Sequence, residues 1–517
     1  MNQDVSRRWA LRLGAAATGS ALFGGSLVSR TAAASEPVDA LVVGSGYAGS
    51  VAALRLAEAG IDSVVVERGR RWPITPDGDT FATPPVPDGR AAWLSTRSPF
   101  TEHTFAPFTG VLETCAHDGI TTMAGAGVGG GSLVNYAAMM IPPGNLFRQS
   151  FGQALDYTEM AQHWYPRAQS LIGLSTVPDD VLNSSFYGNA RQFARRADRA
   201  GLAMQRSEMA VDWDIVRAEI AGTTPRSAIL GHAVWGINSG AKRSVDRTIL
   251  ARAERTGRTD VRPLHLVRDI LPQGDRYLVG CEQLDEEGKV VGRPWFSSRR
   301  VFLAAGSLGT MRLLVRAKAR GSLSRLNEAV GTGWGTSGDH LVAGTGLKFN
   351  NPDQGGPAHM HARTWDTSGA PVTLLSFPPL GLPALGMISS TMLAVSVVPG
   401  LGNFTYDPVS DEVKLSWPTS DPRVVRVSSA VRDTMRQWDS ANFGLDLDVV
   451  TPALTAHSLG GAALGAATKE TGELIGHPGL FVIDSSLIPG STGAVPPALT
   501  VTALADRCVT LALQRSF

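Results

Sequence analysis

The stretch from Asp39 to Gly69, DALVVGSGYAGSVAALRLAEAGIDSVVVERG, restricts the fold more than any other part of the chain. Residues 40–43 form a short apolar run that predicts a buried parallel strand. The run ends in Gly44-Ser45-Gly46-Tyr47-Ala48-Gly49, and residues 50–60 then have helical spacing. A second β-branched run, residues 63–66, ends at Glu67. The order is strand, tight turn, helix, strand, with an acid 21 positions after Gly46.

Each part has a physical reason. Gly44 permits the tight turn, Gly46 lets backbone approach a pyrophosphate, and Gly49 lets the helix pack closely. The helix N-terminus presents unpaired N–H groups and a positive dipole end to phosphate. Glu67 can accept hydrogen bonds from a ribose diol. The spacing therefore predicts a dinucleotide site. It does not separate FAD from NAD, and a glycine-rich turn in an ordinary α/β unit is the alternative.

A chain of 517 residues is long enough for two or three domains. With 47 basic against 46 acidic residues, the composition points to no nucleic-acid surface. Residues 1–36 read as an export leader rather than fold: Arg7-Arg8 precedes a mild apolar stretch and then Ala32-Ala33-Ala34-Ser35. This predicts a secreted protein carried folded by the twin-arginine route. Cys115, Cys281 and Cys508 are too scattered for a disulfide framework or a metal site, so buried inert thiols and no metal are expected.

Residues 70–125 lack periodicity and are rich in proline, which predicts a long ordered excursion. Residues 125–135 then carry five glycines and end in Ser132-Leu133-Val134-Asn135, a loop whose backbone can lie against a flat or phosphorylated ligand. Helices are expected over 157–171, with Pro166 a kink or stop, over 190–202 and over 424–438. Residues 263–269, 276–282 and 290–296 read as a small antiparallel sheet. Residues 299–305 read as a buried strand followed by a glycine turn and a helix over 311–319. Residues 367–406 hold no charged side chain, yet their prolines and glycines argue against a spanning helix. They read as buried strand and loop.

In this order the motifs resemble those of the glucose-methanol-choline (GMC) flavin oxidoreductases, and within them the chain is similar to exported bacterial cholesterol oxidases with non-covalent FAD. The residues concerned are Gly44 to Gly49 with Glu67, GVGGGSLVN at 127–135, KRSVDRTIL at 242–250, FLAAGSLGTMRLLVRA at 302–317, VGTGWG at 330–335, NFTYD at 403–407, HSLGG at 457–461 and VIDSSLIPGSTG at 482–493. The resemblance implies FAD and a doubly wound, Rossmann-like α/β domain interrupted by an α+β substrate domain, whose six-stranded antiparallel sheet roofs a steroid-sized cavity. The expected division is 37–75, 237–335 and 463–517 for FAD, with 127–135 contributing, and 76–236 with 336–462 for substrate.

Carried over by position, Tyr47, Ala48 and Glu67 contact the ADP part of FAD and Val267 lies against adenine. Gly131 and Asn135 sit beside the isoalloxazine and ribityl chain, and Asp484 and Ser485 close over the ribityl and pyrophosphate. His457 falls on the active-site histidine, and an imidazole there can accept or relay a hydroxyl proton. His340, His359 and His361 have no such support. Two positions depart from the pattern. Gly386 stands where the family has a glutamate that moves a proton in isomerisation, and Pro496 where it has an asparagine. The expected activity is oxidation of a bulky hydrophobic secondary alcohol (sterol, terpenoid or polyketide) without isomerisation, by a monomer using oxygen or another acceptor, with transient membrane-surface contact. A non-redox lyase or isomerase of the same fold, and a lipophile-binding protein without turnover, are the alternatives.

Overall fold

The computed structural model describes residues 35–101, 103–345, 354–365, 369–377, 389–445, 450–451 and 454–516. Residues 1–34 of the leader and Gly386 lie outside the described residues, while Glu36, expected to end the leader, pairs beside Phe296 and bonds Arg262 at 2.6 Å. No helix among those described is long and apolar enough to cross a membrane.

Five strands, β1 (Ala40–Val43), β2 (Ser63–Val66), β3 (Thr259–Arg262), β4 (Val301–Leu303) and β5 (Leu480–Val482), form a parallel sheet in the order β3-β2-β1-β4-β5. Every residue of β1, β2, β4 and β5 is buried, which is why these segments read as unbroken apolar runs. Three helices accompany the sheet: α1 (Tyr47–Glu58) between β1 and β2, α2 (Gly306–Ala319) after β4, and α3 (Ala498–Ser516) after β5. The strand order reverses between β1 and β4, which lie side by side with Val43 opposite Leu303. In sheets of this kind ligands bind in the crevice at the carboxyl ends of the strands where the order reverses.

The tight turn after β1 depends on two glycines. Gly44 has φ +98°, and a Cβ there would lie 2.4 Å from the Ala304 carbonyl oxygen; one on Gly49 would lie 1.9 Å from the Gly44 carbonyl oxygen. Helix α1 starts at Tyr47, three residues before the apolar periodicity begins, because Gly46 already serves as its N-cap.

A mostly antiparallel sheet built from His265–Gln273, Arg276–Leu284, Val290–Gly292 and Trp295–Ser298 matches the expected small sheet. Its last expected strand is split at Pro294, which has no N–H to donate. Two expectations need correction. The excursion over 70–125 contains a hairpin, Leu112–His117 with Ile120–Gly125, whose Thr, Cys and Ala residues show no apolar alternation. The helix over 157–171 is interrupted: a wide turn at Met160–Trp164 precedes the segment Tyr165–Ile172, which has Pro166 in its first turn.

A six-stranded antiparallel sheet runs Val450–Thr451, His340–Thr345, Ser389–Ser396, Val372–Ser376, Met360–Thr364, Ala203–Arg206. His361, opposite Leu375, and His359, just before the strand Met360–Thr364, are held neutral by burial with pKa values of about 4. An unfolded histidine binds its proton near pH 6.5, so the unfolded chain takes up more protons between pH 6.5 and 4 and stability falls as pH drops through that window. We expect acid unfolding in that range, with His359 and His361 each contributing on the order of 3 kcal/mol at pH 4. Substituting both by glutamine flattens the pH dependence of Tm if this is correct. Gly49→Ala is expected to lower stability by about 1–3 kcal/mol or more in denaturant titration.

Candidate active site

The glycine turn, the loop 127–135 and the His457 region line one continuous cavity of about 1060 Å³. That is at the top of the range for ligand sites. The first turn and the loop are tied together by Ser45. Its hydroxyl donates to Glu67 Oε2 at 2.8 Å and accepts from Gly129 N–H at 3.1 Å. Glu67 also accepts from Ser45 N–H at 3.0 Å and Gly69 N–H at 2.9 Å. A carboxylate has about four acceptor positions, so lone-pair capacity remains for a ribose hydroxyl.

Asn135 Nδ2 donates to the Tyr47 hydroxyl at 2.7 Å, joining the end of the loop to the start of α1. Lys242 closes the loop from beneath, its ammonium donating to the Leu133 carbonyl at 2.8 Å and to the Asn135 carbonyl. Burial pushes the Lys242 pKa down to about 7, against the pull of Asp246.

The residues fit FAD at several points. Helices α1 and α2 both begin at this cavity with no side-chain cap and no acid in the first turn. Each presents a positive dipole end to an anionic group, although the Ser307 N–H is already taken by Ser485 Oγ at 3.1 Å. Gly131 faces the cavity, and a Cβ there would meet nothing within 4 Å. Val267 lines the same cavity on the strand His265–Gln273. Beside it, Arg68 and Arg312 flank Glu113; burial opposes ionisation of Glu113, but the two guanidinium groups outweigh it and hold the carboxyl at about 2.

Asp484 is buried, and its carboxylate accepts from Thr310 Oγ1 at 2.5 Å and Ser486 N–H at 2.8 Å. Burial raises its pKa despite those bonds. Its side chain thus ties β5 to α2, and Asp484 and Ser485 both line the cavity. Cys115 is half-buried in the cavity wall beside Arg312 rather than fully buried, which corrects the expectation for that thiol; Cys281 and Cys508 are buried, as expected.

The other end of the cavity is apolar. Leu341, Leu393 and Leu375 are direct neighbours across three adjacent strands of the six-stranded sheet and form a stripe along the cavity wall. Phe377 and Tyr136 pack edge to face beside it, with ring centroids 4.3 Å apart. Pro496 lines the cavity at the entry to α3 and has no donor to offer.

His457 lies between two short strands. Leu454–Thr455 pairs with Thr121–Thr122, and Leu459–Gly461 pairs with Thr332–Gly335. The second pairing carries Asp339, four residues beyond Gly335, up to the imidazole. Asp339 Oδ1 lies 2.7 Å from His457 Nδ1, and its Oδ2 accepts from Thr455 Oγ1 at 2.8 Å and Ala456 N–H at 3.2 Å. The Asp339 side chain is fully buried, while His457 lines the cavity. The other singled-out histidines do not line it: His340 is bonded to Gly338 and Ser428, and His359 and His361 sit in the sheet core.

All the site residues read from the sequence thus line one cavity or frame its turn, Gly49 doing so by packing. Ser45, Lys242 and Asp339 escaped sequence reasoning. Lys242 opens a motif that was noticed as a whole, and Asp339 follows directly on the glycine-rich 330–338 segment; neither had a visible partner in sequence. Gly131→Leu is expected to leave the stability of the cofactor-free protein unchanged while weakening FAD binding at least tenfold, because the added side chain enters the cavity rather than the core. Thermal melts and flavin fluorescence titration check this.

Residues 421–505 match the GMC oxidoreductase family model, and residues 37–83 match the FAD binding domain model. A cholesterol oxidase from Acinetobacter baumannii is 24% identical, covering 91% of this chain and 93% of its own. A cholesterol oxidase from Mycobacterium tuberculosis is 25% identical, covering 92% and 90%. Among solved structures, pyridoxine 4-oxidase from Mesorbium loti superposes with a TM-score of 0.64 at 15% identity, over 93% of this chain and all of that one, which establishes likeness of fold.

Proposed function

Since the chain belongs to the GMC flavin oxidoreductases and takes FAD, we propose that it oxidises a bulky hydrophobic secondary alcohol, of sterol, terpenoid or polyketide type, to the ketone. The observation that carries this reading is the shared cavity. It has glycine loops and uncapped helix ends on one side, the Leu341–Leu393–Leu375 stripe on another, and the His457 imidazole opening onto the same space. When bound, FAD supplies the acceptor for the carbinol hydride.

The protein's own groups do the rest. The apolar stripe binds the hydrocarbon body and excludes water, which strengthens every polar contact inside. His457 holds the hydroxyl and receives its proton at Nε2, since Nδ1 is engaged by Asp339. Oxygen is the expected second substrate. The reading includes the division into an FAD part and a substrate part, supported by the parallel sheet drawing all five strands from 37–75, 237–335 and 463–517. It also includes export as a monomer by the twin-arginine leader.

The ketone is released without double-bond migration. Of the cavity-lining carboxylates, Glu113 is engaged with Arg68 and Arg312 and Asp411 with Arg316, and none among the described residues stands on the leucine stripe. Offered a 3β-hydroxy-5-ene steroid, the protein is expected to give the unconjugated ketone; rapid appearance of a conjugated 4-en-3-one in the ultraviolet spectrum contradicts this.

Anaerobic mixing with candidate alcohols tests the main reading. Bleaching of the flavin band near ~450 nm supports hydride transfer. Tight binding without bleaching favours a non-redox or purely binding role. His457→Ala is expected to retain FAD and to slow flavin reduction by about 10²-fold or more in stopped flow.

A further inference from the structure

We propose that Asp339 is the positioning residue that makes His457 a proton acceptor, by fixing the proton of the resting imidazole on Nδ1 and leaving the Nε2 lone pair toward the substrate hydroxyl. This rests on the alcohol-oxidising reading for its consequence, but the assignment of the tautomer does not.

The donors around Asp339 decide the matter. Oδ2 lies against Thr455 Oγ1 and the Ala456 N–H, and an amide N–H can only donate, so Oδ2 is an acceptor. Thr455 Oγ1 itself receives the His457 N–H at 3.0 Å, which orients its proton outward to an acceptor, and Oδ2 is nearer than the Thr336 carbonyl at 3.3 Å. Oδ1 is left for the imidazole at 2.7 Å, a distance typical of a charge-assisted bond. A fully buried carboxylate needs all three donors, so His457 Nδ1 carries its hydrogen. The neutral ring then has its only lone pair at Nε2.

Asp339 itself does not line the cavity, so it cannot touch substrate or move a proton along a steroid ring. Pro496 and Pro497, which do line it, have no N–H with which to hold the hydroxyl, and His457 carries that task. In the step, the alcohol O–H bond breaks and its proton goes to Nε2. Bound FAD would accept the carbinol hydride, the electron pair of the broken C–H bond, as C–O becomes C=O. The imidazolium so formed rests against the Asp339 carboxylate.

The test is Asp339→Asn in the FAD-loaded protein. Thr455 and Ala456 require an acceptor, so the amide oxygen takes their side and the amide NH₂ faces Nδ1. The imidazole must then carry its proton on Nε2, where it cannot accept another. With selective ¹⁵N-histidine labelling, and His457 assigned by its loss in His457→Gln, the unaltered protein is expected to show the Nδ1–H tautomer and the variant the Nε2–H tautomer. In stopped flow the variant is expected to keep its half-saturating alcohol concentration while flavin reduction slows by about 10²-fold. Its rate should climb with pH where that of the unaltered protein levels off. An Nε2–H tautomer in the unaltered protein overturns the proposal and needs no variant to fold. Reduction by Asp339→Asn at the parental rate, or slowing with an unchanged pH profile, also overturns it. A tautomer switch in a protein that no alcohol reduces keeps the Asp339 assignment and removes the alcohol-oxidase reading instead.

Discussion

The Glu67 carboxylate is the interaction on which the rest of the site depends. It is buried at the end of β2 and receives three donors, two from Ser45 and one from Gly69. A buried carboxylate without partners is too costly to persist, so the turn after β1 must come to it. Ser45 then passes the constraint on, because its hydroxyl accepts from Gly129 and so places the loop 127–135. Three chain segments far apart in sequence meet through one acid, at the point where the sheet order reverses.

Around that centre the electrostatics have one theme. Helices α1 and α2 start at the cavity without caps, and Arg68 and Arg312 exceed Glu113 by one positive charge. The dinucleotide half therefore favours an anion. The half near the leucine stripe is apolar, and the His457 imidazole that opens onto the cavity is backed by a buried carboxylate. A polar ligand end and an apolar substrate are thus accommodated in one continuous space. Lys242 serves the same end by gathering the Leu133 and Asn135 carbonyls, at the expense of a buried ammonium.

Much of this was legible in the chain. The unit from β1 through α1 to β2, the strand and helix after residue 300, and the glycine loop carry local signals: unbroken β-branched runs, glycines at turns, helical spacing. The hairpin over 112–125 was not legible, because it is half-buried and its residues show no alternation. The wide turn at Met160–Trp164 was read only as a kink, since the spacing on either side of Pro166 stays helical. Asp339 had no signal of its own. An aspartate after glycine reads as a turn residue, and its partner lies 118 positions away.

Composition and spacing determined that the chain binds a dinucleotide on a parallel sheet, because the turn, helix and acid that hold a pyrophosphate lie within one short contiguous stretch. The likeness of the HSLGG and GVGGGSLVN motifs to those of the GMC family marked His457 and the loop 127–135 as groups that belong to that site. Only the tertiary structure decided what surrounds them. The leucine stripe exists because three strands from separate parts of the chain pair in one register, and the Asp339–His457 pair exists because Thr332–Gly335 pairs with Leu459–Gly461. Such contacts follow from sheet register between distant segments, and no local pattern of residues specifies that register in advance.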